Sequence, residues 1–490
     1  MIRTTFALVL KYLVISVLLA VVVEAQDKVS APVSAESPQS PAVLDQAPAT
    51  PPPSQMPLSQ PAAPASPSAS SPQLPTGGPL QRLTVQEAES LALKNNPQIS
   101  VYHLLALASG QVTRQQKAAY YPTVYGSLSA AEPRDNGSRI AAGYLNNPIV
   151  YERAAGGVTL SQLITDFGRT SNLVASAALR AKAADMNAVA TADQIKLAAD
   201  QAFYIALQMF AEQKVAQETV RERQLVSEQI TTLYQNKLRS QLDVSFADAN
   251  LAQARLLLLD AQNSYQAALS LLSEVLGYPS QQQFELIDTA TNIEPPPDAV
   301  SQLIDKAFSN RPEIASQEYQ FQAAQRFQKA ERDLLLPSIQ ALGVVGRTPV
   351  SNSIGGVPIF PSWYGAVGVN INVPIFNGFL YPARSKEAAL RAQATNEQLR
   401  DLKDRIANDV RTSWLNAITA FNRIGVTQQF VDQTNLAADL SQTRYSLGLS
   451  SIVELSQAQL QQTAAQIQFA AAKYQYQIAQ AVLRFQIAAP

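Results

Sequence analysis

From Arg169 to Leu276 the chain runs 108 residues without a glycine or a proline, with polar residues interleaved among apolar ones throughout. Globular helices average about 11 to 12 residues, and periodic stretches much beyond 25 point to a coiled coil, a membrane span or a helical repeat. A lipid-facing helix needs roughly 20 mostly apolar residues in succession, which the polar positions here interrupt. The pattern predicts a long, water-accessible helical hairpin over 168–277, turning near Tyr234 to Asp243. A second block over 379–487, broken only by Gly425 and Gly448 after Pro382, predicts another. Its apolar seam is Leu399, Leu402, Ile406, Val410, Trp414, Ala417, Phe421 and Ile424. The mean step is about 3.57, between the coiled-coil and straight-helix values, so little supercoil is expected.

Ahead of each hairpin the period changes to two. Thr123, Tyr125, Ser127 and Ser129 alternate with Val124, Gly126, Leu128 and Ala130, predicting a strand over about 122–131, and a second strand is expected over about 157–165. In the later half, strands are expected over about 338–346 and 364–376. There Val367, Val369, Ile371, Val373 and Ile375 oppose small and polar residues. Such a band suits a lipid-facing barrel strand and equally a half-buried strand of a soluble sheet.

The two halves match at a near-constant offset. Asn96-Pro97 and Arg311-Pro312 lie 215 residues apart, as do Tyr121-Pro122 and Leu336-Pro337; Asp166-Phe167-Gly168 and Phe376-Asn377-Gly378 lie 210 apart, and Tyr234 and Tyr445 211. This is an internal duplication, a first repeat over 80–294 and a second over 295–490. In each half a 67-residue helix, about 100 Å long, faces a returning helix of about 50 Å, so half of the long helix lacks a partner. The helices predicted over 97–120 and 312–336 have the length to complete it, stacked end to end on the returning helices. Four strands per chain cannot close a barrel and lipid tolerates no open edge, so closure implies several chains; eight strands from two chains and twelve from three both satisfy this argument.

Composition narrows the classes. Hydrophobic residues make up 47% and charged residues 15%, and the net charge of −1 gives no nucleic-acid footprint. The absence of cysteine removes disulfides, thiolate metal sites and thiol catalysis. His103 is the only histidine, and no second metal-type ligand or nucleophile accompanies it. No enzyme chemistry and no cofactor are expected. Gly156-Gly157 and Gly355-Gly356 read as turns rather than phosphate loops, and Trp363 and Tyr364 as an aromatic girdle or as loop packing. Residues 1–25 read as a signal peptide, with Arg3 and Lys11 before the apolar run Tyr12 to Val23; an uncleaved anchor is the other reading. Residues 26–79 hold 14 prolines among Ala, Ser and Gln and read as a disordered linker.

Together the paired helix starts, the Tyr-Pro and Leu-Pro junctions, the signature Pro374-Ile375-Phe376-Asn377-Gly378, and Tyr445-x-x-Gly448 followed by Glu454-Leu455 resemble the TolC-like outer-membrane efflux protein family, over nearly all of residues 80–490. The resemblance implies a mainly helical fold: a long antiparallel α-helical barrel in the periplasm, and four β-strands per protomer contributed to a trimeric 12-strand barrel in outer-membrane lipid. It implies a homotrimer, a periplasmic adaptor, an inner-membrane pump of the RND or ABC type, and conduction for efflux or type I secretion. It also implies an entrance held shut by Tyr, Arg and Asp and lined by acidic rings. Tyr445 and Asp243 match that network and Glu454 matches a ring acid, whereas Ser450 stands where an arginine is expected and Gln457 where a second ring acid is expected. Arg239, at the equivalent place in the first repeat, is the candidate substitute. Ser240 with Asp243 and Ser451 with Glu454 also have capping-box spacing, so each acid has a helix-start reading beside its pore reading. A secreted structural or adhesive coiled-coil protein without a pore is the alternative class.

Overall fold

The computed structural model describes residues 81–131, 138–139, 149–150, 153–288, 293–297, 299–347, 353–354, 357–358 and 363–488. The expected signal peptide and linker lie outside them, as does Gly355-Gly356. In chain order, β1 (Gln81–Leu83), α1 (Val85–Asn95) and α2 (Pro97–Ala118) lead to β2 (Thr123–Ala131), the short pair β3 (Ser138–Arg139) and β4 (Ile149–Val150), and β5 (Arg153–Thr165). The first hairpin follows, α3 (Arg169–Gln235) and α4 (Gln241–Val275), then β6 (Phe284–Leu286). The second half repeats the plan with α5 (Val300–Asn310), α6 (Pro312–Arg332), β7 (Ser338–Arg347), the short pair β8 (Ser353–Ile354) and β9 (Val357–Pro358), β10 (Trp363–Asn372), α7 (Leu380–Ser446) and α8 (Ile452–Gln486).

Each long helix has 67 residues, about 100 Å. Near the strands α3 packs between α2 and α6, and toward its other end between α4 and α8; α7 packs against α6 and then α8. The short helices therefore stack end to end in both halves. At the first joint Asn96 caps α2 and its Nδ2 donates to the carbonyl of Val275, 3.1 Å away, at the end of α4. Gly277 closes the same joint: with φ +80°, a Cβ there would stand 2.7 Å from the Asn95 carbonyl. At the second joint Arg311, ion-paired to Glu313, donates to Gln486 Oε1 at 2.7 Å and lies over the Phe485 ring.

The seam foreseen on α7 is buried, but mostly against a belt rather than along the hairpin. Ile406, Val410 and Ala417 pack with Leu303 and Ala307 of α5, with Ile314, and with Leu483. The main core lies at the same height on the first repeat, where Phe203, Leu207, Leu269 and Leu272 meet Ala88 and Ala92 of α1 and the parallel pair β1–β6. That pair is too short for the sequence pattern to reveal.

Four strands form one antiparallel sheet in the order β2-β5-β7-β10. This repeats the helix order, because α2 runs into β2, β5 into α3, α6 into β7 and β10 into α7. Two sequence expectations change here. Val373 to Phe376 fall outside β10, since Pro374 offers no N–H to a ladder. Gly156 and Gly157 lie within β5 rather than in a turn: Gly157 aligns with Gly346 and Tyr364 across three strands, and a Cβ at Gly157 would stand 2.9 Å from the Tyr364 hydroxyl. Small residues there leave room for the phenol.

Candidate functional site

Two places carry the chemistry, the sheet and the hairpin tips. Register sorts the sheet into two faces. Val124, Leu128, Val158, Leu160, Ile339, Val345, Val367, Val369 and Ile371 share one, with Gln162; Thr123, Tyr125, Ser127, Thr159, Ser161, Gln340, Asn370 and Asn372 share the other, with Leu342 and Val344. Neither face is covered: every residue of β10 is exposed and Leu128 is 93% exposed. Among the described residues no element pairs with the outer edges of β2 and β10. An open sheet with a bare apolar face is unsuited to water, whereas a closed barrel in lipid requires that face. Trp363 lies on the apolar face and Tyr364 on the polar one, so only Trp363 fits an outward girdle.

Where the sheet passes into the long helices, both repeats turn through two successive left-handed residues. These are Phe167 (φ 55°) with Gly168 (φ 112°), and Gly378 (φ 62°) with Phe379 (φ 66°). A bulky side chain in that region is strained by about 1–3 kcal/mol. Phe167, Ile375, Phe376 and Phe379 are nevertheless all exposed. Exposed phenylalanines just below an apolar sheet, two of them at strained positions, suit a membrane–water boundary.

The tips bring together most of the residues singled out from the sequence. Both turns have the same hydrogen bonds: Lys237 N to Tyr234 O and Leu238 N to Leu233 O in one, Gly448 N to Tyr445 O and Leu449 N to Arg444 O in the other. Lys237 takes the left-handed position (φ 63°) that Gly448 (φ 75°) fills in the second repeat. Ile230 and Ala247 of the first hairpin pack on Tyr445, Ile452 and Leu455 of the second.

Arg239 bridges the hairpins. Its guanidinium lies 4.2 Å from the centre of the Tyr445 ring and donates to the Tyr445 carbonyl at 2.6 Å. Burial, reinforced by the Asp243 carboxylate, raises the pKa of the Tyr445 phenol above its ordinary value, and Arg239 opposes the shift. The two acids differ. Asp243 completes a capping box with Ser240, accepting from its N–H and hydroxyl. Ser451 caps α8 through the Glu454 N–H, but the Glu454 carboxylate does not return to close a box; it pairs with Arg444 Nη1 at 3.2 Å. Ser450 places a buried hydroxyl oxygen without a hydrogen-bond partner, Gln457 is exposed, and His103 is exposed on α2.

Sequence reasoning missed three groups. Arg444 was detectable only as a base in the last turn of α7, beside Tyr445. Arg223 of α3, 4% exposed, donates to the Gln459 carbonyl at 2.9 Å and to Thr463 Oγ1 at 3.3 Å, joining the hairpins above the tips with no carboxylate partner among the described residues. At belt height, burial and the neighbouring Glu89 of α1 push the Asp200 carboxyl up to about 7, while Arg484 and Lys196 oppose the shift.

Comparison with known proteins agrees with this architecture. Residues 89–278 and 303–489 match the family described as Outer membrane efflux protein, one segment in each repeat. The chain is 27% identical over 244 residues to the alkaline protease secretion protein AprF of Pseudomonas aeruginosa, covering 48% of this chain and 49% of that protein. It is 26% identical over 217 residues to the pyoverdine export outer membrane protein OpmQ of the same organism, covering 44% of each. In these matches the chain spans about half the length of the relatives. The solved structure of CusC, which forms a transmembrane channel, superposes with a TM-score of 0.71 at 18% identity, over 83% of this chain and 92% of that one. With both repeats matched and the fold shared, the chain belongs to the outer membrane efflux protein family.

Proposed function

We propose that the chain is one protomer of a trimeric outer-membrane channel. It conducts substrates from a periplasmic adaptor and an inner-membrane RND or ABC pump to the exterior, in efflux or type I secretion. The observation that carries this reading is the bare, two-faced sheet with unpaired edges β2 and β10, set on helices in the same lateral order. Three copies joined edge to edge supply twelve strands, with the apolar face toward lipid and the hydroxyl and amide face toward an aqueous lumen. The helices below continue the wall as a tunnel of twelve, because each level of a protomer contributes four. A pore-free rod has no use for an exposed apolar sheet at matched positions of both repeats.

The tips are then the entrance. Arg239 and Tyr445 hold the two hairpins of one protomer together, and Asp243 and Glu454 supply negative charge around the opening. Three copies of each acid about a narrow pore repel one another and favour cations. The test is single-channel recording in planar bilayers. Asp243→Ala combined with Glu454→Ala raises conductance and weakens block by divalent cations; conductance and block equal to wild type would reject the assignment of these acids. Crosslinking from the Tyr445–Glu454 tip identifies the adaptor.

A further inference from the structure

The apolar face of the sheet ends in a cation. Arg347 is the last residue of β7 and shares the outward side with Ile339, Ala341, Gly343 and Val345, opposite Trp363 on β10 and Gly156 on β5. The guanidinium carbon lies 5.8 Å from the centre of the Trp363 indole, and both residues are exposed. Among the described residues no carboxylate pairs with it, and the indole lies at cation–π distance. Position along the strand decides what it meets. From Ile339, at the helix end, Arg347 is eight residues farther along β7. At about 3.4 Å per residue that is about 27 Å of strand, which at a barrel tilt of about 40° rises about 20 Å, to near the top of an apolar band roughly 25 Å tall. A lipid-facing arginine costs about 2–4 kcal/mol at mid-bilayer and about 0–1 near an interface, so this level is where the chain tolerates one. Hydrocarbon gives way there to headgroups on the side away from the tunnel. A planar guanidinium held against an aromatic ring presents a fork that fits two phosphate oxygens.

We propose that Arg347, seated on Trp363, binds the phosphate of an anionic lipid in the distal leaflet, one lipid per protomer. This rests on the channel reading, which sets the apolar face against lipid. The test is native mass spectrometry of the full-length protein released from mild detergent, titrated with diphosphoryl lipid A, with dephosphorylated lipid A, and with inorganic phosphate. Wild type retains the phosphorylated lipid about tenfold better than the dephosphorylated form. Arg347→Gln removes that preference, and Arg347→Lys, with a point charge in place of a fork, keeps part of it. Equal retention by wild type and Arg347→Gln, or no preference in wild type, overturns the proposal. Displacement by millimolar inorganic phosphate overturns the lipid assignment in favour of a free-anion site. The same spectra report the oligomer mass, so a chain that does not assemble contradicts the channel reading separately.

Discussion

Removing the Arg239 side chain tests whether the hairpins are fastened at their tips. Arg239→Ala deletes a charge-assisted hydrogen bond of 2.6 Å to the Tyr445 carbonyl and a cation–π contact of 4.2 Å to the same residue. Hydrogen bonds to charged groups contribute about 1.5–3 kcal/mol, and cation–π contacts at partly exposed sites about 0.5–1 kcal/mol. Discounted because Arg239 is only half-buried, the two together hold the hairpin tips together by about 2 kcal/mol per protomer, the arrangement that the proposed entrance takes as closed. At 1.4 kcal/mol per factor of ten, the closed-to-open ratio of each protomer falls about 30-fold. Arg444 provides the comparison. Its ion pair with Glu454 has both side chains largely in water, 57% and 42% exposed, and such pairs contribute about 0–1 kcal/mol. Single-channel recording therefore shows longer open times and higher mean conductance for Arg239→Ala, and at most a small change for Arg444→Ala. Arg239→Lys falls between wild type and alanine, because an ammonium can still donate one hydrogen bond and carry a cation to the ring but does not stack as a guanidinium does. If Arg444→Ala opens the channel as much as Arg239→Ala, or if Arg239→Ala leaves open times unchanged, the fastening role of Arg239 is wrong.

Three further predictions concern stability, each read as a denaturant midpoint in detergent. Gly277→Ala and Gly448→Ala both place a side chain at left-handed φ, at about 1 kcal/mol of strain, but only Gly277 meets backbone, 2.7 Å away at Asn95. Gly277→Ala is therefore the worse by an overpacking cost of about 1–3 kcal/mol, and equal effects would mean that the joint between α2 and α4 is loose. Lys237→Gly, at the equivalent turn of the first repeat, relieves the strain and stabilises by about 1 kcal/mol; a loss of stability would contradict the left-handed assignment. Asp200 holds its proton to about pH 7 in the folded chain, against about 3.9 when unfolded. The contribution of this group is thus complete below about pH 4, and it is lost as pH rises toward about 7. Asp200→Asn flattens that slope and is more stable than wild type above pH 7, and an unchanged slope would remove Asp200 as its source.

Much of the architecture was legible because it depends on length and period, which one sequence carries. Two glycine- and proline-free blocks, and helix starts at Pro97 and Pro312, are enough to require end-to-end stacking, and Asn96 with Val275 and Arg311 with Gln486 are where it occurs. The strands were legible as alternation, but Pro374 and the space around Tyr364 set where β10 stops and why β5 carries two glycines. Side-chain encounters across some 200 residues were not legible. Arg223 with Thr463, and Arg239 with Tyr445, join segments that no local pattern relates.

The duplication itself explains why the tips resist prediction by analogy between repeats. Copying fixes backbone geometry, so both turns keep the same hydrogen bonds and both returning helices keep a serine cap. Side chains on that shared backbone were free to diverge, and they did so in charge pairing. Asp243 spends its carboxylate on its own helix start, whereas Glu454 is drawn to Arg444, ten residues earlier across the turn. Ser450 stands where the family resemblance leads one to expect an arginine, while Arg239, at the equivalent place in the other repeat, reaches Tyr445 from across the hairpin interface. The contact it makes joins the two hairpins. Any widening of the proposed entrance that parts the hairpins breaks it, which is why Arg239 rather than Arg444 is the substitution that separates the two accounts of the tip.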